Sequence, residues 1–321
     1  MAGFNNIRIG VIGTGYLGKY HTEKYAHLDN VELVGVVDVD ANAAEKVALD
    51  NATKPFTDYR ALFGKVDAVS VVVPTKYHYE ISKEFLQQGV DVLIEKPMTV
   101  TLSEADELIK LASMQNRIIQ VGHLERFNPA VKALKGIVEN PQFIESHRLS
   151  TYKDRGTDVS VVLDLMIHDI DIIQNFVASD VTEIRAAGIS IISQYPDIAN
   201  ARLEFKNGCV ANVTASRISM KNERKIRLFQ PNAYISVDFA NHEIKIVRQD
   251  QTKTEAIIPG MEIETITMDH GDALDDEIRH FVHSVENRSI PEVDGNVGRK
   301  ALFTALEIIE QISSTQPSLL S

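Results

Sequence analysis

A short β-branched run, residues 7–12, leads straight into Gly13-Thr14-Gly15-Tyr16-Leu17-Gly18, and an amphipathic stretch over 16–28 follows. No other feature narrows the possible folds as much. Glycines at this spacing permit a tight turn, close backbone approach to a pyrophosphate, and close helix–strand packing. The start of the following helix offers free N–H groups and the positive end of its dipole to phosphate. Such a hexapeptide is often only a turn, but here it stands in the strand–turn–helix setting that the function requires. A second apolar run over 31–38 ends on Asp38, whose carboxylate can accept hydrogen bonds from ribose hydroxyls. A negative charge there repels a 2′-phosphate, so the expected dinucleotide is NAD and not NADP.

Further short, nearly continuous apolar runs lie at 68–73, 90–94 and 118–121, the pattern of strands buried on both faces. Between them, 42–49, 78–88 and 102–116 read as helices, the last opened by Thr101 and Glu104 at capping-box spacing. Residues 1–122 are therefore expected to form an α/β Rossmann domain, a doubly wound parallel sheet. Beyond Gly122 the reading is a short helix at 129–135, a strand at 143–152 and a strongly apolar helix at 161–177. Strands follow from 181 to 258, punctuated by Tyr195-Pro196-Asp197, Asn207-Gly208 and Pro231-Asn232. Helices near 273–285 and 297–312 close the chain. Residues 123–321 thus read as an α+β domain with a large, mostly antiparallel open sheet, suited to substrate binding and oligomerisation. The apolar character of that sheet points to a homodimer or homotetramer.

Charge and cysteine content exclude several classes. Thirty-three Lys and Arg against 45 Asp and Glu leave a formal charge of −12, which argues against nucleic acid and anionic membrane as partners. One cysteine, Cys209, forms no disulfide framework and no four-cysteine zinc site. The start has no basic stretch before a long apolar one, and no apolar run approaches the ~20 residues of a spanning helix. A soluble, cytoplasmic protein is the expectation.

The carboxyl ends of later strands should line the nucleotide crevice. Val73-Pro74-Thr75 ends one, and Glu95-Lys96-Pro97 ends another, where Pro97 would hold Lys96 extended and aim its cation out of the strand. On the helix at 161–177, Asp164, His168, Asp171 and Asn175 fall within about 60° at helical periodicity. Burying unpaired carboxylates on so apolar a helix is expensive, so this stripe should face a cleft, a partner or a satisfied polar network. Asp164 and His168 stand one turn apart and can touch. Asp169 lies off the stripe and has no assigned role. His123, Asp164 and His168 could ligate a metal, but no dense ligand motif accompanies them, and no metal is expected.

Taken together, these motifs resemble the large oxidoreductase family named after glucose–fructose oxidoreductase and inositol dehydrogenase (Gfo/Idh/MocA). The matching pieces are Gly13 to Gly18, Asp38, Pro74 with His78, Glu95-Lys96-Pro97, Gly122-His123 with Arg126-Phe127-Asn128-Pro129, the Asp164-x-x-x-His168 helix, and the helix start with Leu274 and Glu277. The resemblance spans almost the whole chain. It implies an NAD-dependent dehydrogenase, with the cofactor held by Gly13, Thr14, Gly15, Tyr16, Leu17, Gly18, Asp38, Pro74, His78, Glu95 and Lys96. Lys96, Asp164 and His168 would surround the reacting hydroxyl, and Arg126, Asn128 and Arg155 would contact substrate. Within the family, residues 122–131 and 158–173 look most like the UDP-N-acetylglucosamine 3-dehydrogenase branch, although Ser160-Val161-Val162 replaces the usual glycine-rich approach. A free polyol or aldose such as inositol is the competing substrate class. A non-catalytic, NAD-bound sugar sensor is the competing role.

Two basic runs bear on substrate charge. Arg217, Lys221, Arg224, Lys225 and Arg227 stand against one Glu223, and Arg148, Lys153 and Arg155 against Asp154. They could hold a sugar-nucleotide diphosphate, or they could guard strand edges against aggregation.

Overall fold

The computed structural model describes residues 6–152, 159–250, 252, 260–269 and 271–315. It divides the chain into two compact units, Met1–Phe127 with Asp272–Lys300, and Asn128–Gly271 with Ala301–Ser321.

In the first unit, β1 (Ile7–Ile12), β2 (Val31–Val37), β3 (Pro55–Phe56), β4 (Ala68–Val71), β5 (Asp91–Glu95) and β6 (Ile119–Gly122) form one sheet in the order β3-β2-β1-β4-β5-β6. Every pairing is parallel, and the order reverses between β1 and β4. That switch point opens a crevice at the carboxyl ends of the strands. The connecting helices are α1 (Tyr16–Ala26), α2 (Ala41–Asp50), α3 (His78–Gln87) and α4 (Leu102–Gln115). Thr101 and Glu104 form the capping box read from the sequence. The core packs Ile9, Val11, Val36, Ala68 and Leu93 against Tyr25, Leu28 and Val47 from α1, its C-terminal turn and α2.

In the second unit, α5 (Pro129–Ala133) precedes β7 (Phe143–Leu149), and α6 (Ile167–Val177) follows. Then come β8 (Val181–Ile189), β9 (Ile198–Phe205), β10 (Val210–Ser216), β11 (Glu223–Gln230), β12 (Ala233–Asp238), β13 (Glu243–Gln249) and β14 (Met261–Thr267). The eight strands run in the order β14-β13-β12-β11-β7-β10-β9-β8, with β7 and β10 parallel and the other pairs antiparallel. Alternate residues are buried, so one face carries the core. That core joins Ile144, Ala211, Val213, Leu228 and Ile235 to the apolar side of α6.

The sequence boundary at 122/123 requires correction. α7 (Ala273–Asn287) returns to the first unit, where Ile278, Phe281, Val282 and Val285 complete the core. Main-chain and side-chain bonds fasten the same return, with Val121 N donating to Val293 O (2.9 Å) and Arg288 pairing with Asp91. The last helix, α8 (Gly295–Thr315), gives residues 295–300 to the first unit and 301–315 to the second. An apolar helical stripe says that a helix is buried, but not against which sheet.

Three smaller differences have local causes. The strand region extends past 258 to β14, an exposed edge strand whose charged residues obscure its alternation. The two-residue β3 is too short to give a periodic signal. The helix expected over 161–177 begins instead as a π-helix over Val162–Met166. Many apolar residues of the second sheet are used inside the second unit. The outward positions of its central strands carry Glu145, His147, Asn212, Lys225 and Arg227 beside the ring cluster of Phe143, Phe229 and Tyr234. Among the described residues, no helix is long and apolar enough to cross a membrane.

Candidate active site

The glycine loop has the geometry of an anion cradle. Gly13 has φ +98, and a Cβ there would stand 2.2 Å from Val72 O; at Gly18 it would stand 1.9 Å from Gly13 O. Those two glycines let the turn close and α1 pack against it. Gly15 differs, because a Cβ there would meet nothing within 4 Å. Gly15 is the N-cap of α1 and supplies no side-chain cap, and the first turn holds no acidic residue. The orphan N–H groups of that turn thus suit a phosphate. Thr14 is buried, Leu17 is half-buried, and Tyr16 is exposed.

Asp38 lies just past the end of β2. Its Oδ2 accepts from Thr14 N and Thr14 Oγ1, both at 2.8 Å, and its Oδ1 accepts from Asp40 N at 3.0 Å. Partial burial alone would raise its pKa, but these hydrogen bonds outweigh it and hold the carboxyl below its ordinary value. The residue is an anion and also ties the glycine loop to the sheet. The glycine loop and this carboxylate together fit a dinucleotide.

At the end of β5, Glu95 is buried and Lys96 half-buried, with Lys96 N donating to Glu95 Oε2 at 3.3 Å. The Lys96–Pro97 peptide is cis. Pro74 is exposed and begins a 3-10 turn over Thr75–Tyr77. His78 lies deeper than an open cofactor contact would. It is 1% exposed, with Nδ1 3.0 Å from Pro97 O and Nε2 2.7 Å from Val73 O. Burial pushes its pKa down despite the two carbonyls, and the ring lies between one strand end and the next, its single N–H in the neutral form serving one carbonyl at a time.

In the second unit, the π turn places Asp164 ahead of His168 by a route that helical periodicity does not anticipate. Ser160 O accepts from both Leu163 N and Asp164 N at 3.0 Å, and Ser160 Oγ accepts from Val162 N. Asp164 remains about one-third exposed, His168 half-buried and Asn175 exposed, whereas Asp171 is buried. The expected stripe is thus split by depth. π turns of this kind recur at functional sites because the extra residue re-aims side chains. Asp169 gains a role from tertiary contact: its carboxylate takes Arg148 Nε at 3.1 Å and Arg148 Nη2 at 2.8 Å, both residues being buried. That pair pins α6 to β7.

Residues 7–123 match the model of an oxidoreductase family with an NAD-binding Rossmann fold, and residues 131–236 match the GFO/IDH/MocA C-terminal domain. The chain is 36% identical over 304 residues to UDP-N-acetylglucosamine 3-dehydrogenase from Acidithiobacillus ferrooxidans, covering 94% of this chain and 96% of that one. The chain belongs to the GFO/IDH/MocA oxidoreductase family. A solved structure of that same Acidithiobacillus enzyme aligns with a TM-score of 0.92 at 35% identity, covering 96% of this chain and 98% of the other. Myo-inositol 2-dehydrogenase from Thermotoga maritima is 26% identical, covering 92% of this chain and 93% of that protein.

Other sequence candidates fare differently in this GFO/IDH/MocA chain. Arg126 is 4% exposed, with Nη1 3.7 Å from Glu292, and Asn128 caps α5 by accepting from Ala130 N. Arg126 is thus buried, while Asn128 is half-buried and serves as a helix cap. Arg155, Lys153 and Asp154 lie outside the described residues. The longer basic run is not an edge guard, because β11 is an interior strand. Its cations are also largely matched: Lys225 faces Asp238 at 3.1 Å, Arg227 faces Glu145 at 3.3 Å, and Lys221 pairs with Glu223. Arg217 is buried, donates to Val159 O at 2.7 Å and comes within 4.0 Å of Asp164 Oδ2. In the sequence Arg217 stands out only as part of a charge run; no local signal shows which carboxylate a distant arginine will meet.

Proposed function

We propose that this oxidoreductase is an NAD-dependent dehydrogenase of a sugar ring hydroxyl, with a UDP-N-acetylhexosamine oxidised at C3 as its substrate. The similarity to the Acidithiobacillus enzyme over nearly the full length of both chains carries the substrate reading. The ionised Asp38 supports NAD over NADP, since a 2′-phosphate beside it would meet like charge. Gly13 to Gly18 and the α1 amino end hold the pyrophosphate, Asp38 the adenosine ribose, and Glu95 the nicotinamide ribose.

Bound NAD supplies the acceptor for the hydride that leaves the ring carbon. His168 takes the hydroxyl proton, a step suited to an imidazole with an ordinary pKa of ~6.5. Lys96 orients the hydroxyl and stabilises negative charge developing on its oxygen. Asp164 holds the ring of His168 and favours its protonated form.

The test mixes enzyme at substrate-like concentration with NAD and UDP-N-acetylglucosamine and follows near-ultraviolet absorbance of reduced nicotinamide. A stoichiometric rise is expected, lost in Lys96→Ala and His168→Ala while NAD still binds. A rise with myo-inositol and none with the nucleotide sugar would overturn the substrate. Near-normal rates in both variants would overturn the residue roles.

A further inference from the structure

Three buried ionisable side chains of the first unit are only partly used by the proposed chemistry. His21 of α1, Glu95 of β5 and Glu277 of α7 are 0%, 8% and 0% exposed, and one nitrogen or oxygen from each lies within 4.8 Å of the others. His21 Nε2 is 3.1 Å from Glu95 Oε1. A carboxylate only accepts, so this ring nitrogen carries the hydrogen. On the other side of the ring, Nδ1 is 3.4 Å from Ser70 Oγ, which lies 2.8 Å from the Tyr25 hydroxyl. With a neutral ring the donors run in one direction: Tyr25 to Ser70, Ser70 to His21, His21 to Glu95.

Glu277 stands outside that chain. Both its carboxyl oxygens are enclosed and have no hydrogen-bond partner among the described residues, although Gln120 Nε2 donates to its main-chain carbonyl at 3.0 Å. Two ionised carboxylates this close, away from water, would repel strongly, and protonation of Glu277 removes that repulsion while Glu95 keeps the hydrogen bond from His21.

We propose that Glu277 is a neutral carboxylic acid in the folded protein, leaving Glu95 as the single charged carboxylate of the cluster, and so acts as a positioning residue for the strand end that carries Lys96. Burial, reinforced by the charge of Glu95, holds the Glu277 proton well above the ordinary carboxyl range. Burial would lift Glu95 too, but the His21 hydrogen bond, with Lys96 and His78 nearby, keeps it low. The groups that set this balance are His21 and Tyr25 on α1, Glu95 and Lys96 at the end of β5, and His78 on α3. On α7 itself, His280 is tied to Gln120 Oε1 at 3.2 Å.

The role of Glu277 in positioning Lys96 rests on the proposed chemistry; its protonation does not, and the two are tested separately. A carboxyl whose folded pKa lies above its unfolded one loses stability as pH rises from the unfolded value toward the folded value. Glu277→Gln keeps shape and neutrality without that loss. From pH 5.5 upward, the unfolding constant of the wild-type chain should therefore rise tenfold per pH unit relative to Glu277→Gln, until Glu277 releases its proton. Calorimetry of the full-length proteins without substrate or cofactor reads this directly. A pH-independent difference would overturn the proposal. So would a stoichiometric divalent ion whose removal destabilises the wild type but not the Gln variant. In turnover assays, Glu277→Leu should lower kcat at least tenfold with little change in sugar KM, and Glu277→Gln should recover most of it. Equal losses in both variants would overturn the positioning role.

Discussion

Removing the Asp169 carboxylate should damage the second unit more than any exposed substitution. Asp169 and Arg148 are both nearly inaccessible, and the carboxylate accepts from Nε and Nη2 at 2.8–3.1 Å. Asp169→Ala removes the buried carboxylate that this guanidinium faces, which costs about 3–5 kcal/mol when one partner of such a pair is lost. For a unit of this size, at about 2–4 °C per kcal/mol, the second-unit transition should fall by about 12 °C. The double change Arg148→Met with Asp169→Leu removes both charges and should recover most of that loss, because matched apolar replacements of buried pairs are often neutral. Differential scanning calorimetry at pH 7.5 separates the three proteins. His168 precedes Asp169 directly, so kcat with the nucleotide sugar should fall in the single variant and recover in part in the double. A drop under about 3 °C for Asp169→Ala, or a double variant as unstable as the single, would refute the account of the pair as the anchor of α6.

Asp38→Ala should raise the KM for NAD about tenfold and narrow the preference over NADP, read from initial rates with both cofactors. Unchanged values would remove the ribose contact. Gly15→Ala should leave the melting temperature within about 1 °C yet weaken NAD binding in titration calorimetry, since its Cβ meets only the open space above the loop; Gly18→Ala should destabilise the first unit, because its Cβ would collide with Gly13 O. Asp197 accepts from Ile191 N, Ile192 N, Ser193 N and Ser193 Oγ. Burial opposes its ionisation, but these bonds bring its pKa down to about 2. That stability is present above pH 4 and is lost as pH falls from 4 toward 2, so Asp197→Asn should cost about 2 kcal/mol at pH 7 and show a smaller acid-induced loss than the wild type in urea unfolding.

Local periodicity and punctuation made the parallel sheet, the glycine loop, the capping box at Thr101 and the antiparallel succession legible, and the strand and helix ends read in residues 1–122 fall within two residues of those observed. Those features depend on neighbours along the chain, and nearest-neighbour physics determines them. The same periodicity placed Asp38 and Glu95-Lys96-Pro97 at strand ends, which in an open α/β sheet gather at the switch point whatever the rest of the chain does. The contacts that His78, Arg126 and Asn128 make within the fold were not legible. A polar residue in a recognisable motif looks alike whether it faces a ligand or braces two loops from within.

What tertiary structure alone decided is partnership across long sequence distances. It assigned α7 to the first unit, far along the chain from the strands it packs with, because an amphipathic helix carries no record of its partner sheet. It gave Asp169 its arginine, matched the basic run to Glu145, Glu223 and Asp238, and set Glu277 beside Glu95. It also replaced the first turn of a regular helix by a π turn at Asp164. A single extra residue per turn changes which side chains share a face, and packing against the sheet selects it. The sequence by itself determined the fold class and the cofactor crevice; the charge state and depth of each candidate group came from burial and pairing, which exist only once the chain has folded.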